Sequence, residues 1–299
     1  MTEDIIHIEN VTRCFGKTVA LDKVSLNMTK GIVLGLVGEN GAGKTTLIKH
    51  LLGLLRAREG KVRVFGKDPV AEPEYVLAKL GYLSEHREDL PEWMRIKELF
   101  RYTRAFYPKW DDPYAQQLCE TFGLDPDQKI KTLSKGQKAQ VGLINALAHR
   151  PQLLLLDEPS SGLDPVVRHD ILAMVIRNVV NEGRSVFFSS HLLDEIELIA
   201  DHVVIMHKGG IFVDSPLFEI QNAYCALELH FERHLETSLQ LPGLIWSRNQ
   251  NGQLSVLCKA GVDVLKQKAK ELGARRIEAK RPTLNEIFVS LVKDDKGGS

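Results

Sequence analysis

The run GENGAGKT, Gly38–Thr45, decides how the rest of this 299-residue chain is read. It fits G-x-x-x-x-G-K-[ST], a loop whose glycines let backbone N–H groups converge on phosphate oxygens. The flanks are those such a loop requires. GIVLGLVG (31–38) is a short apolar run read as a buried strand. KTTLIKHLLGLLRA (44–57) has helical spacing and is read as one helix with no breaker before Gly60. A helix that opens on the loop turns its positive end toward an anion. Lys44 is then expected to reach the β- and γ-phosphates of a nucleotide, and the Thr45 hydroxyl to hold Mg2+. A plain glycine turn would explain the glycines but not the lysine and threonine together.

Downstream, LLLLDEP (153–159) delivers Asp157 and Glu158 to the carboxyl end of a strand, where open α/β sheets bind ligands. Asp157 suits Mg2+, through water, and Glu158 can polarise a water for attack on the γ-phosphate. Alone, the pair could equally cap the next helix; after a phosphate loop the catalytic reading leads. SVFFSSH (185–191) is another strand, VVRHDILAMVIRNVVNEG (166–183) and LLDEIELIA (192–200) are helices, and VVIMHKGGIFVDS (203–215) is a hairpin. Residues 4–30 read as strands and turns, KVRVFG (61–66) as a strand, and Glu85–Arg150 as a mostly helical insert. Buried strands alternating with helices imply an α/β fold with a mostly parallel sheet covered on both faces.

Within the insert, LSKGQ (133–137) starts a helix oddly. Ser134 and Gln137 have capping-box spacing. Yet Lys135 sits in the first turn, against the helix dipole, and Gly136 sits where alanine would favour the helix. Two poor local choices point to a demand from outside the helix.

The bulk numbers bound the answer. Lys plus Arg and Asp plus Glu are 39 each, so no global charge calls for nucleic acid. Cys14, Cys119, Cys225 and Cys258 are scattered without a C-x-x-C pair and read as free thiols of a reducing compartment. No signal peptide and no membrane-length apolar run is legible. Beyond residue 220, CALELHF, LIWSRN, LSVLCKA and RRIEAK read as strands. RHLETSL, GVDVLKQKAKELG and TLNEIFVSLV read as helices, and Asn251-Gly252 as a hairpin turn. That order predicts a small α+β domain, possibly ferredoxin-like, with a terminal helix. The expected domains are 1–220, with the helical insert at about 86–150, and 221–299.

In this order and company, the motifs of residues 1 to about 220 resemble the nucleotide-binding domain of an ATP-binding cassette (ABC) protein. Gly38, Glu39, Asn40, Gly41, Ala42, Gly43, Lys44, Thr45 and Thr46 resemble the Walker A loop, and Leu153–Glu158 the Walker B strand. Leu133–Gln137 resembles the LSGGQ signature, Ser161–Asp164 the D-loop, and His191 the switch histidine. Phe15, in RCFGKTVAL, matches the aromatic that stacks on adenine. Three positions depart from the pattern: Glu85 stands for the Q-loop glutamine, Glu39 for a common proline, and Lys135 for the second glycine of the signature.

The resemblance implies ATP and Mg2+ as cofactors, Lys44, Glu158 and His191 as catalytic residues, and Thr45, Glu85 and Asp157 around the metal. It implies two cassettes sandwiching two ATPs, so that Ser134, Gly136, Gln137 and Asp164 of one meet the nucleotide of the other. Lys135 would be tolerated there beside an anion. The implied partners are a second copy or a paralogue, and an integral-membrane permease on separate chains that holds the subunit to the inner face of the cell membrane. The aromatic residues in LPEWMRIKELF (90–100) and RAFYPKW (104–110) read either as a rim that receives a permease helix or, for Trp93 and Phe106, equally as core. PTLNEIFVSLV (282–292) resembles the tail of cassettes serving ABC-2-type exporters, so export is the expected task. The rival is a soluble cassette of translation, DNA repair or cluster assembly. It fits less well, because the chain lacks a second cassette, coiled coils and zinc spacing.

Overall fold

The apolar run ahead of the phosphate loop is strand β3 (Val33–Val37), with every residue buried. It lies inside a six-stranded sheet with β5 (Leu80–Leu83), β6 (Leu153–Asp157), β7 (Ser185–Ser190), β8 (His202–His207) and β9 (Gly210–Pro216). The order is β5-β6-β7-β3-β8-β9. β5, β6, β7, β3 and β8 run parallel, and β3, β6 and β7 are buried throughout. Near-continuous apolar runs are what a sheet covered on both faces requires. The Lys208-Gly209 connection of the β8–β9 hairpin has positive φ at both residues, 47° and 83°, as a two-residue turn of the primed type needs. A second, antiparallel sheet has the order β2-β1-β4, from β1 (Asp4–Phe15), β2 (Thr18–Thr29) and β4 (Glu59–Val64).

The computed structural model describes residues 4–85, 90–231, 241–250, 253–259 and 261–288. It divides into two units, Met1–Asp214 and Ser215–Ser299. Among the described residues no helix is long and apolar enough to cross a membrane.

The helix after the phosphate loop, α1 (Lys44–Leu51), is shorter than the spacing of 44–57 predicts. Gly53 ends it. Its φ of 73° is the left-handed cap, Gly53 N–H donates to the His50 carbonyl, and Leu54 N–H donates to Lys49. A Cβ there would stand 2.3 Å from the Pro69 carbonyl oxygen, so only glycine fits. α2 (Pro73–Leu77) precedes β5. The 85–150 stretch is mostly helical, through α3 (Ile96–Arg104), α4 (Asp112–Phe122) and α5 (Lys135–Leu147). On this insert Trp93 and Phe106 are exposed, 74% and 63%, so both belong to a surface rim and not to the core. His149, just beyond α5, stacks on Tyr107 at 3.9 Å, its Nε2 3.1 Å from the Leu80 carbonyl oxygen. Burial lowers its pKa to about 4. α6 (Pro165–Val175) runs on into a π-type turn at 176–180, and α7 (Leu193–Ile199) follows β7.

In the second unit, α8 (Leu217–Ala223) precedes β10 (Cys225–His230), β11 (Leu244–Gln250), β12 (Gln253–Cys258), α9 (Val262–Glu271) and β13 (Arg276–Lys280). The antiparallel sheet order is β11-β12-β10-β13, with the first and third strands central, as a βαββαβ path requires. Leu227, Leu229, Val256 and Leu265 form its own core. Cys225 and Cys258, far apart in sequence, are cross-strand partners. Both are buried free thiols, and burial pushes Cys258 up to about 11. Residues 284–288 are helical. The expected helix RHLETSL, the Asn251-Gly252 turn and the end of TLNEIFVSLV lie outside the described residues.

Candidate active site

Three adjacent strand ends build the site. Parallel register sets Val37 of β3 against Ser190 of β7, and Ser189 of β7 against Asp157 of β6. The phosphate loop, the Asp157-Glu158 pair and the Ser189–His191 segment therefore emerge at one edge, where open sheets bind ligands.

In the loop, Gly43 has φ 108° and caps α1 in the left-handed conformation; a Cβ on it would meet the Ala20 carbonyl at 2.4 Å. The first N–H groups of α1 have no side-chain cap, the condition under which a helix start binds anions. Lys44 is buried and folds back along the loop. Its Nζ donates to the Gly38 carbonyl at 2.5 Å and the Glu39 carbonyl at 3.3 Å, and lies 3.1 Å from Glu158 Oε1. That last contact is an ion pair by distance and lacks hydrogen-bond geometry, so Oε1 keeps its accepting capacity.

Glu158 is held from three sides. Its φ of 46° is left-handed, a strain of about 1–3 kcal/mol in a non-glycine residue. Its N–H donates to the Ser189 carbonyl at 3.2 Å and to Ser189 Oγ at 3.0 Å. Its Oε2 accepts from His191 N–H at 3.3 Å and from Nδ1 at 2.7 Å. A carboxylate only accepts, so a proton sits on His191 Nδ1, and in the neutral ring Nε2 is then the acceptor.

Ser189 is the residue that motif reading misses. Besides receiving Glu158 N–H, its Oγ donates to Asp157 Oδ1 at 2.7 Å. One hydroxyl thus joins the Asp157 carboxylate to the Glu158 backbone; the only sequence signal was the serine pair ahead of His191.

Asp157 is buried, and burial raises its carboxyl pKa. The Ser189 and Thr45 hydroxyls bonded to it act in the opposite direction, and the Glu85 and Glu158 carboxylates add to the rise. An oxygen cluster that is costly to ionise alone fits a divalent cation. Among the described residues no three His, Cys, Asp or Glu side chains form a metal cage. Mg2+ needs none, since it takes one or two carboxylates with phosphates and water. Glu85 lines the same cleft and accepts from Ser161 Oγ at 3.4 Å.

The cleft is about 400 Å3, within the range of small-molecule sites, and Thr18, Glu39, Lys44, Thr45, Glu85 and Glu158 are among its lining. Phe15 is half exposed under the Arg13 guanidinium at 4.8 Å. It does not line the cleft, though its cross-strand partner Thr18 does. The signature and D-loop residues also lie off this lining. Ser134 and Gln137 form the predicted capping box, at 3.1 and 2.9 Å. Asp164 caps α6 by accepting from Val166 and Val167 N–H, both at 3.1 Å. Gly136 has a reason inside the chain: a Cβ would stand 3.0 Å from Val167 Cγ1. Lys135 is exposed.

The ABC transporter family model matches residues 21–161. The chain is 35% identical over 219 residues to the ABC transporter ATP-binding protein YdbJ of Bacillus subtilis (strain 168), covering 73% of this chain and 71% of that one. It is 30% identical over 298 residues to YhaQ of the same organism, covering 96% and 98%. The chain belongs to the ABC transporter family. This ABC protein is also 28% identical to the bacitracin transport ATP-binding protein BcrA of Bacillus licheniformis, over 96% and 97% of the two chains. An ATP-binding subunit of an ABC transporter superposes with a TM-score of 0.66 at 27% identity, over 73% of this chain and 92% of that one. The match to YhaQ extends into the second unit, so that unit is shared with family members and is not peculiar to this chain.

Proposed function

We propose that this ABC protein hydrolyses ATP with Mg2+ and uses the cycle to drive export through a permease on separate chains. The observation that carries the reading is the Lys44–Glu158–His191 contact set beside Asp157, joined by Ser189. Loop N–H groups and Lys44 hold the phosphate charge, in a buried setting where such contacts are strong. Glu158 Oε1 takes the proton of the attacking water, while His191 Nδ1–H fixes the carboxylate and Ser189 fixes the Glu158 backbone. His191 Nε2 is left to bond the water or the γ-phosphate. Mg2+, held by Thr45 and Asp157 with Glu85 nearby, would neutralise charge on the phosphates.

Phe15 stacks the adenine. Two copies, or a copy and a paralogue, close on two nucleotides, with Ser134, Gly136, Gln137 and Asp164 of each facing the other's ATP. Residues 221–299 serve as an accessory domain, and the subunit sits at the inner membrane face through its permease. The transport naming of BcrA supports a transport task, and the exporter-like tail supports the direction. An ATPase assay on the purified chain and a pull-down from membranes of its source cells test the whole reading. Mg2+-dependent phosphate release and co-purification with an integral membrane chain are expected; recovery with ribosomes or DNA instead would overturn it.

A further inference from the structure

A second cavity lies away from the nucleotide cleft, between the end of α1, the loop that follows it, β4 and the Asp68–Val70 turn. Its volume is about 290 Å3, and His50, Arg56, Lys61, Arg63 and Asp68 line it. The charge is lopsided. Asp68, the one carboxylate, is engaged in accepting from Val70 and Ala71 N–H. Lys61 has a long, exposed ion pair with Glu9 at 3.4 Å, of little energetic weight. Among the described residues Arg56 and Arg63 have no ion-pair partner.

His50 is fully buried at the cavity wall, and neither ring nitrogen has a partner of full hydrogen-bond geometry. Burial holds its pKa below the usual value, opposed by a weak contact with the Leu55 carbonyl and reinforced by the Arg13 charge. That contact engages at most one ring nitrogen, and a buried imidazole nitrogen left without a partner is costly. The end of α1 does not repel an anion, because its last carbonyls accept from Leu52, Gly53, Leu54 and Leu55 N–H.

We propose that this cavity binds a small phosphate-bearing anion, gripped by Arg56 and Arg63 and bonded by His50. Guanidinium groups match phosphate oxygens in pairs, and the imidazole supplies a donor at the floor. The site touches the nucleotide machinery at two points. His50 is in the last turn of the helix that Lys44 begins, and Arg13, beside His50, stacks on Phe15. Occupancy would therefore report to the helix that carries Lys44 and, through Arg13, to Phe15.

The test uses the full chain with the cleft filled by a non-hydrolysable ATP analogue and Mg2+, so that the phosphate loop cannot bind the probe. The His50 ring resonances, assigned with His50→Gln, are followed by NMR at constant ionic strength. One arm adds inorganic phosphate; the other adds phosphatidylglycerol–phosphatidylcholine vesicles against phosphatidylcholine alone. A saturable shift is expected, weakened about tenfold or more in Arg56→Ala/Arg63→Ala and by less in Arg56→Lys/Arg63→Lys, which keeps the charge but loses the paired contact. A shift with free phosphate assigns a soluble ligand; one with anionic vesicles only assigns a lipid headgroup. No saturable shift in either arm, or equal affinity in the double alanine variant, overturns the proposal.

Discussion

Lys44 and Glu158 touch, Nζ to Oε1 at 3.1 Å, although the strands that deliver them are not neighbours. β7 lies between β3 and β6, so the contact spans a strand and is completed by Ser189 of that strand and His191 just past its end.

Replacing Lys44 with alanine removes the phosphate-binding cation and strips Glu158 Oε1 of its charge partner. Phosphate release should fall about 100-fold or more, the scale of losing one oriented charge contact. Near-normal release in a colorimetric assay would contradict the role given to Lys44.

Glu158→Gln keeps the side-chain size and the left-handed backbone but loses the proton acceptor. Turnover should fall by about 10²–10⁴. With Mg-ATP bound and not consumed, the variant should elute from size-exclusion chromatography as a dimer. Elution as monomer only would count against the two-copy sandwich.

Ser189→Ala deletes one hydroxyl and two contacts, the acceptor of Glu158 N–H and the donor to Asp157. A cost of about 1–3 kcal/mol follows if the strained Glu158 relaxes. The signature of positioning is a fall in kcat with KM for ATP nearly unchanged, and partial rescue by Ser189→Thr. A fall in melting temperature with kcat intact would make Ser189 purely structural.

How much of this was legible in the sequence follows from how local each signal is. The phosphate loop, the apolar β6 run and its two carboxylates are contiguous, so their chemistry shows in the string. Ser189 is not legible, because its importance comes from β6–β7 register, a pairing across some thirty residues with no local mark. The early end of α1 was hidden because Leu51, Leu52, Leu54 and Leu55 keep up the apolar pattern through Gly53. Only the Pro69 carbonyl, arriving from elsewhere, makes that glycine obligatory. The oddity of Gly136 was legible but not its neighbour Val167, which contributes a reason within the chain.

That neighbour gives a further test. By helix propensity Gly136→Ala should stabilise by up to about 1 kcal/mol. Val167 is β-branched and stiff, so the new methyl instead overpacks, costing about 1–3 kcal/mol. A fall of a few degrees in melting temperature is expected, restored by adding Val167→Ala. A rise in the single variant would show that α6 yields freely.

Acid should weaken the fold through His149. Its folded pKa of about 4 lies below the ordinary 6.5, so burial favours the neutral ring. Stability is complete above pH 6.5 and is lost as pH falls toward 4, where the unfolded chain takes up the proton first. The full effect is on the order of 3 kcal/mol. Urea titrations from pH 7 to 4 should show a shallower decline in His149→Gln than in the parent. Parallel declines would remove His149 as the cause; His50, shifted in the same direction, would remain.

The caps at Ser134–Gln137 and Asp164 have a consequence for assembly. Side chains that would greet another copy's nucleotide are already tethered to their own helix starts. Their rotamers are frozen when the chain folds, not when two chains meet. Ordering entropy that would otherwise oppose association is already spent. Under the proposed two-copy assembly, that stiffening would favour closure.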